Sequence, residues 1–387
     1  MRKVYLHDFA VASRLGLTRE ATLTALGSSK PPKPDIPFTL VDGRQTLVAG
    51  LPDFDTGDHR SRTEAILAYL VEELDRSSTL DAFLKGDRKR LAVIIGTSTT
   101  GIQEGQQALG ERLDTGTWND DYDFSIQELG DPAIRTARRL GAKGPVYTVS
   151  TACTSSTRAL ISAARLIAHG RVDTAISGGA DAIADLTVNG FDALDLVAET
   201  ACLPFSANRS GINIGEGGGL FLLSAEPAEF ELAGWGATTD AYHMSSPLPS
   251  GEQAERALRE ALDGAGCEPH DVDFVHLHGT ATPMNDATEA ALMKRLFGAA
   301  TPLASTKGMT GHTLGAAGAL QLAFNLIAMR EGIYPPHVFD GHYDESLPAL
   351  ALTTPSMRAA SPINVTMCAN YAFGGSNAAL LVRRVTS

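Results

Sequence analysis

Cysteine is scarce in this chain: Cys153, Cys202, Cys267 and Cys368 are the four in 387 residues. They are too few for a disulfide framework and too widely spaced for a zinc ligand set, which fits a reducing compartment. Positive charge is also in short supply. With 32 lysines and arginines against 45 aspartates and glutamates, the formal net charge is -13, and a chain without a basic footprint is a poor partner for nucleic acid. Long apolar runs are missing too. No stretch approaches the roughly 20 residues that span a bilayer, and His7 and Asp8 interrupt the apolar core that an N-terminal signal peptide requires. These absences lead to the expectation of a soluble cytoplasmic protein, free of membrane and of nucleic acid.

Glycine, by contrast, is abundant, at 38 residues, as suits closely packed layers and tight turns. Short apolar runs recur at 90–98, 144–150, 172–181, 273–279 and 364–373, each ending in glycine or small polar residues, as buried strands ending at loops do. Helical patterns lie between them at 63–74, 156–168, 252–265, 288–297 and 315–330. The alternation predicts a layered α/β architecture. A chain of this length exceeds the usual single core, so one large domain or two tightly joined halves are expected.

The halves are visible in a repeat. Sliding "ALISAARLIA" (159–168) onto "ALQLAFNLIA" (319–328) pairs Ala159 with Ala319, Leu160 with Leu320, Ala163 with Ala323, and Leu166, Ile167 and Ala168 with Leu326, Ile327 and Ala328. Both windows follow a strand-like run and a turn of small residues. Read as an internal duplication, the same offset sets Ala152 opposite His312, next to the counterpart of Cys153. Two helix starts around a pseudo-twofold axis would then bring a thiol and an imidazole to one central site.

Cys153 stands where a strand gives way to a helix, with Thr154, Ser155 and Ser156 available as caps. A helix N-terminus favours negative charge and offers free amides, which predicts a thiol pKa below its usual value of about 8.5. His278 follows a strand-like run and precedes Gly279 in "HGTATPMND", at a loop beside a sheet edge. His276 shares its strand face but sits inside the strand, as a structural residue would. "STKGMTGHTLGAAGALQLAF" carries Lys307 and His312 into apolar, glycine-rich surroundings, where isolated charge is costly and a partner or a task is required. "CANYAFGGSNAALLV" sets Phe373 before Gly374 and Gly375, an aromatic ring beside a pair of glycines that lets a loop move.

Together "TACTSS", "HGTATPMND", "KGMTGH" and "NYAFGGSN" resemble the β-ketoacyl-acyl carrier protein synthases, the elongating condensing enzymes of fatty acid and polyketide synthesis. The resemblance runs from "RKVYLHDFAVASRLG" to the end of the chain. It implies a thiolase fold, a duplicated five-layered α/β/α/β/α arrangement, with an N-terminal half at 1–228 and a C-terminal half at 229–387, and a homodimer or a heterodimer with another ketosynthase-like chain. It implies Cys153 as nucleophile, His278 and His312 as the two catalytic histidines, and Lys307 as the lysine of the motif. Asp286 and Glu289 match the acidic pair after the first histidine, with Glu289 organising Lys307. Thr280 and Thr282 match the threonines that contact phosphopantetheine. Phe373 matches the gate, with Gly374 and Gly375 behind it, and its amide joins that of Cys153 in the oxyanion hole. No metal or redox cofactor is implied; substrates ride on the 4'-phosphopantetheine of an acyl carrier protein.

Some positions depart from the family pattern. Gln321 stands nine residues after His312, where many relatives have glutamate. "SANRSGINIGEGGG" replaces a commoner loop sequence while keeping Arg209 and Glu216, and Ala372 takes the place of a glycine before Phe373, which predicts a stiffer gate. These departures suggest polyketide or aryl polyene assembly rather than housekeeping fatty acid synthesis. Two other readings compete: a non-catalytic, chain-length-factor-like partner subunit, opposed by the complete Cys153, His278, Lys307 and His312 set, and a coenzyme A-dependent thiolase, opposed by "KGMTGH". Carrier proteins are acidic, and "KGDRKR", with Lys85, Arg88, Lys89 and Arg90, is a candidate docking patch.

Overall fold

The computed structural model describes residues 2–385, so the outermost residues of the two expected halves, 1 and 386–387, lie outside the described residues. Twelve strands form among the described residues: β1 (Tyr5–Ala12), β2 (Ile36–Thr39), β3 (Gln45–Val48), β4 (Leu91–Gly96), β5 (Val146–Val149), β6 (Thr174–Asp181), β7 (Gly217–Ser224), β8 (Phe230–Thr239), β9 (Phe274–His276), β10 (Leu303–Ala304), β11 (Val365–Ala372) and β12 (Ser376–Arg384). β2 and β3 make a separate hairpin. The other ten form one sheet in the order β10-β9-β11-β12-β8-β1-β7-β6-β4-β5.

Read outward from the centre, the same pattern occurs twice. β1 pairs antiparallel with β7, β7 with β6, and β6 lies parallel to β4, which lies parallel to β5. In the second half β8, β12, β11, β9 and β10 repeat each of these relations. The duplication that the 159–168 and 319–328 windows suggested is thus present in the strand topology. Between the two sets of strands the sheet continues through β1 and β8, paired at Tyr5 with Glu231 and Leu6 with Phe230, and it bends there into two five-stranded layers.

The side chains show what fills the layers. β4 sends Ala92 and Ile94 into a core shared with the helix Ser155–Ala168, and Leu91, Val93 and Ile95 into a second core with the helices Arg62–Asp75 and Asp131–Leu140. β12 does the same on its side. Ala378, Leu380 and Val382 face the first core, and Ala379 and Leu381 face the helices Glu252–Ala265 and Pro283–Phe297. Strands buried on both faces in this way read as continuous apolar runs. Between the two sheet layers lie the helices Ser155–Ala168 and Ala317–Glu331, the first and second central helices, which contain the repeated windows and are buried along most of their length. The result is the expected five-layered α/β/α/β/α sandwich. No described helix is long and apolar enough to cross a membrane.

Several strands were not apparent from the sequence, and glycine explains two of them. β7 opens on Gly217, Gly218 and Gly219, and β8 is broken by Gly234 and Gly236. A Cβ at Gly234 or Gly236 would lie 1.9 Å from the carbonyl oxygen of Ala261 or Ala257, so these glycines let the helix Glu252–Ala265 rest on bare backbone. The helix expected at 288–297 begins five residues earlier, at Pro283, whose ring and absent N–H suit a first helical turn.

The "KGDRKR" patch lies away from the cavity described below. It precedes β4, whereas the cavity lies beyond the far end of that strand, a run of roughly 20 Å for six residues. Two of its cations are also engaged: Arg90 forms a two-pronged ion pair with Asp173, and Arg88 donates to the carbonyl of Leu140.

Candidate active site

The two central helices begin at the same place, and their first turns are tied together by the Ala319 amide, which donates to the Ser156 hydroxyl at 3.0 Å. At the start of the first helix the chain turns sharply. Ala152 takes a φ of +51°, in the left-handed region that costs a non-glycine residue about 1 kcal/mol. The Ser155 hydroxyl donates to the Ala152 carbonyl and accepts from the Thr151 amide. This bracing presents Cys153 to a cavity of about 310 Å³, lined also by His278, His312, Thr280, Thr282, Tyr371 and Phe373.

His312 Nε2 lies 3.0 Å from Cys153 Sγ, and the His278 and His312 rings stand edge to face with centroids 5.4 Å apart. Their neighbours fix how each ring is protonated. The Leu314 amide donates to His312 Nδ1 at 3.2 Å, which leaves the proton on Nε2. Lys307 Nζ lies 3.5 Å from His278 Nδ1 and also donates to the His278 carbonyl, so His278 likewise presents Nε2–H. Burial, with the Lys307 charge nearby, holds both imidazoles well below the usual histidine pKa. Both rings are therefore neutral donors at neutral pH.

That arrangement bears on metal binding. The donor atoms of Cys153, His278 and His312 lie within 4.8 Å of one another. A metal-bound imidazole, however, gives its free ring N–H to an acceptor. Here an amide and an ammonium, both donors, occupy the second ring nitrogens, so the pair is set to donate hydrogen bonds rather than to ligate.

The thiol departs from expectation. Burial pushes Cys153 up to about 12, despite the Lys307 charge and the amides of Cys153 and Phe373, which pull the other way. The helix start was expected to lower this pKa. Desolvation of a side chain only 5% exposed outweighs it, with the buried Asp181 carboxyl adding to the rise.

The acidic pair, of which Glu289 was expected to organise Lys307, also holds backbone amides. Glu289 accepts from the amides of His278 at 2.7 Å and Gly279 at 2.6 Å, and Asp286 from those of Phe205 and Ala281. Glu289 thus holds the backbone carrying His278 and acts on Lys307 only through space, each offsetting part of the other's burial cost. Thr280 and Thr282 share a 2.9 Å hydrogen bond at the cavity wall. The Phe373 ring packs against Phe191 at 5.5 Å. Ala372 adds no strain to the gate, because its φ of −124° is ordinary extended backbone; Gly374 and Gly375, at +80° and +74°, make the turn. Gln321 donates to the Leu277 and Ala369 carbonyls. Arg209 pairs with Asp344, and Glu216 with Arg62. His276 is a core residue between Asn325 and Thr306, as its place within the strand suggested.

Two participants escaped the sequence reading. Tyr371 lies against His278, its ring 5.8 Å away, and its buried hydroxyl has no hydrogen-bond partner among the described residues. Asp181 gathers the amides of Ser98 and Thr99 and the hydroxyls of Thr97 and Thr99 on one oxygen. Neither carries a local motif.

Comparison with known proteins agrees with the layered fold. The β-ketoacyl synthase N-terminal domain family matches residues 63–228 and the β-ketoacyl synthase C-terminal domain family residues 230–339. The chain is 32% identical over 365 residues to the 3-oxoacyl-[acyl-carrier-protein] synthase 2 of Staphylococcus aureus (strain COL), covering 87% of each. It is 33% identical over 314 residues to nodulation protein E of Rhizobium meliloti, covering 78% of this chain and 77% of that one. A chain from the complex of the ketosynthase ApeO with its chain length factor ApeC, from Xenorhabdus doucetiae, superposes with a TM-score of 0.93 at 36% identity over 99% of this chain and 98% of that one. Two matching domain families in sequence, a duplicated sandwich, and a thiol and two imidazoles meeting at its centre leave one conclusion: the chain belongs to the β-ketoacyl-acyl carrier protein synthases, condensing acyltransferases of thiolase fold.

Proposed function

We propose that the chain performs a decarboxylative Claisen condensation with Cys153 as the nucleophile. The observation that carries this reading is the pair of neutral imidazoles, each fixed with Nε2–H, beside a thiol 3.0 Å from one of them. In the first half-reaction the Cys153 sulfur attacks an acyl thioester on a carrier protein. The oxyanion is met by the amides of Cys153 and Phe373, the acyl–sulfur bond to the carrier breaks, and the carrier thiol leaves with the proton given up by Cys153. A thiol held protonated at rest limits side reactions and loses its proton only as the acyl group transfers.

In the second half-reaction a malonyl thioester enters past Thr280 and Thr282, which hold its pantetheine arm. His278 and His312 donate to the thioester carbonyl. As the carbon–carboxylate bond breaks and carbon dioxide leaves, the electron pair passes onto that oxygen, where two hydrogen bonds in a desolvated site stabilise it. The α-carbon then attacks the acyl carbonyl on Cys153. The sulfur departs and takes up one proton, and the product is a β-ketoacyl thioester. Lys307 keeps the proton of His278 on Nε2, Phe373 with Gly374 and Gly375 gates the acyl cavity, and Glu289 and Asp286 hold the loop beneath. The chemistry calls for no metal or redox cofactor.

The partner is an acyl carrier protein, and the likeness to a chain from a ketosynthase and chain length factor complex supports a ketosynthase-like second subunit. The same likeness supports a polyketide or aryl polyene pathway. The non-catalytic and coenzyme A-dependent readings are disfavoured by the intact site. Intact-protein mass spectrometry after incubation with a panel of acyl carrier proteins tests the proposal. An acyl adduct on the native chain and none on Cys153→Ala is the expected result; equal labelling of both would remove Cys153 as the nucleophile.

A further inference from the structure

β9 and β11 run in parallel register as far as the pair His276 and Cys368. Beyond that rung β9 ends and leads to Leu277 and His278, while β11 continues to Tyr371 and the turn at 373–375. The cavity opens in this fork, with His278 on one arm and Tyr371, Ala372 and Phe373 on the other. Gln321, on the second central helix and 3% exposed, reaches the base of the fork. Its Nε2 donates to the Leu277 carbonyl at 2.7 Å and, more weakly, to the Ala369 carbonyl at 3.4 Å. These are the next residues on each strand after the last paired rung.

An amide nitrogen carries two hydrogens and no charge, so it can serve two carbonyls at once. A carboxylate in its place would set negative charge against both oxygens in a fully buried setting, and a protonated carboxyl has a single O–H to give. The Oε1 of Gln321 has no partner among the described residues, so the bonds from Nε2 are what orient the side chain.

We infer that Gln321 is a positioning residue for the condensation: its neutral amide clamps the fork between β9 and β11 and so sets the separation between His278 and the strand end that carries the gate. The inference rests on the condensing reading above. It gives a position singled out as a departure from the family pattern a specific task, one that glutamate can perform only while protonated.

The test compares native chain, Gln321→Glu and Gln321→Met, following carbon dioxide release from malonyl carrier protein by acyl-loaded enzyme from about pH 6 to pH 8.5, at a temperature where circular dichroism shows each chain folded. Gln321→Glu is expected to approach the native rate at the acid end and to fall roughly tenfold below it at the alkaline end, the equivalent of one to two lost hydrogen bonds. Gln321→Met, similar in size and without a donor, is expected to be slower at every pH, with the native pH profile; it keeps the test open should the glutamate chain not fold. Native rates and an unchanged pH profile in the folded variants would overturn the inference. A native chain that takes up acyl groups but releases no carbon dioxide from malonyl carrier protein would instead overturn the condensing reading.

Discussion

Four imidazoles, those of His276, His278, His312 and His337, are buried and held below the usual histidine pKa by desolvation. His337 does not line the cavity. Its Nδ1 accepts from the Ser305 amide and its Nε2 faces the Pro204 carbonyl, and burial brings its pKa down from 6.5 to about 4. Between those values the unfolded chain binds a proton that the folded chain refuses, so stability falls as the pH falls through this window. Replacing His337 with glutamine removes that difference. The slope of unfolding free energy against pH, measured between about pH 4.5 and 6, is expected to flatten by roughly 1.4 kcal/mol per pH unit relative to the native chain. Raised carboxyls such as Asp286, pushed to about 6, pull the other way in both proteins. The comparison between the two slopes is therefore the measurement, and identical slopes would show that the His337 ring is protonated in the fold. At this scale the sequence named the thiol, both histidines and Lys307, because each sits in a motif of its own. The direction of the Cys153 shift was not legible, since it depends on how much water the opposite half of the chain excludes. Nor was the task of Glu289, since which amides meet a carboxylate is decided by a loop closing over it.

Among the elements, the first central helix and β4 fit closely. A Cβ on Gly96 would lie 2.3 Å from the Ser156 nitrogen and 2.4 Å from the Ser155 carbonyl carbon, backbone atoms that cannot turn aside. Gly96→Ala is expected to push the start of that helix off the strand, costing about 2–3 kcal/mol of stability and moving Cys153 away from His312. Denaturant unfolding and the extent of acylation from an acyl carrier protein check the two effects; a variant as stable and as readily acylated as the native chain would show that the contact is soft. Helices with a clear apolar period were legible, and Glu252–Ala265 falls on its expected bounds. β7 and β8 were not, because glycines that permit close approach also erase the alternation by which a strand is read. The site is likewise held from several directions. The turn at Ala152, the amide of Leu314 and the ammonium of Lys307 come from separate segments, and each orients an atom that a different segment supplies.

Over the whole molecule, the duplication was legible only through the central helices, and the chain shows why. A short link, 169–173, joins the first central helix to β6, whereas the long irregular segment 332–364 separates the second from β11, so the offset of the repeat is lost beyond the helices. The strand order preserves what the spacing does not. One further property follows from the partly exposed stretch 225–229, the sole covalent passage between a half that holds the thiol and a half that holds both imidazoles. Severing it would divide the chain into two polypeptides, each chemically incomplete, with complementary apolar faces along the central helices. Mixed in solution, they would restore acyl transfer in proportion to the pairs formed, and dilution would switch the chemistry off, since the tether supplies only proximity. A severed chain of this kind is a split reporter, in which turnover counts encounters between two molecules.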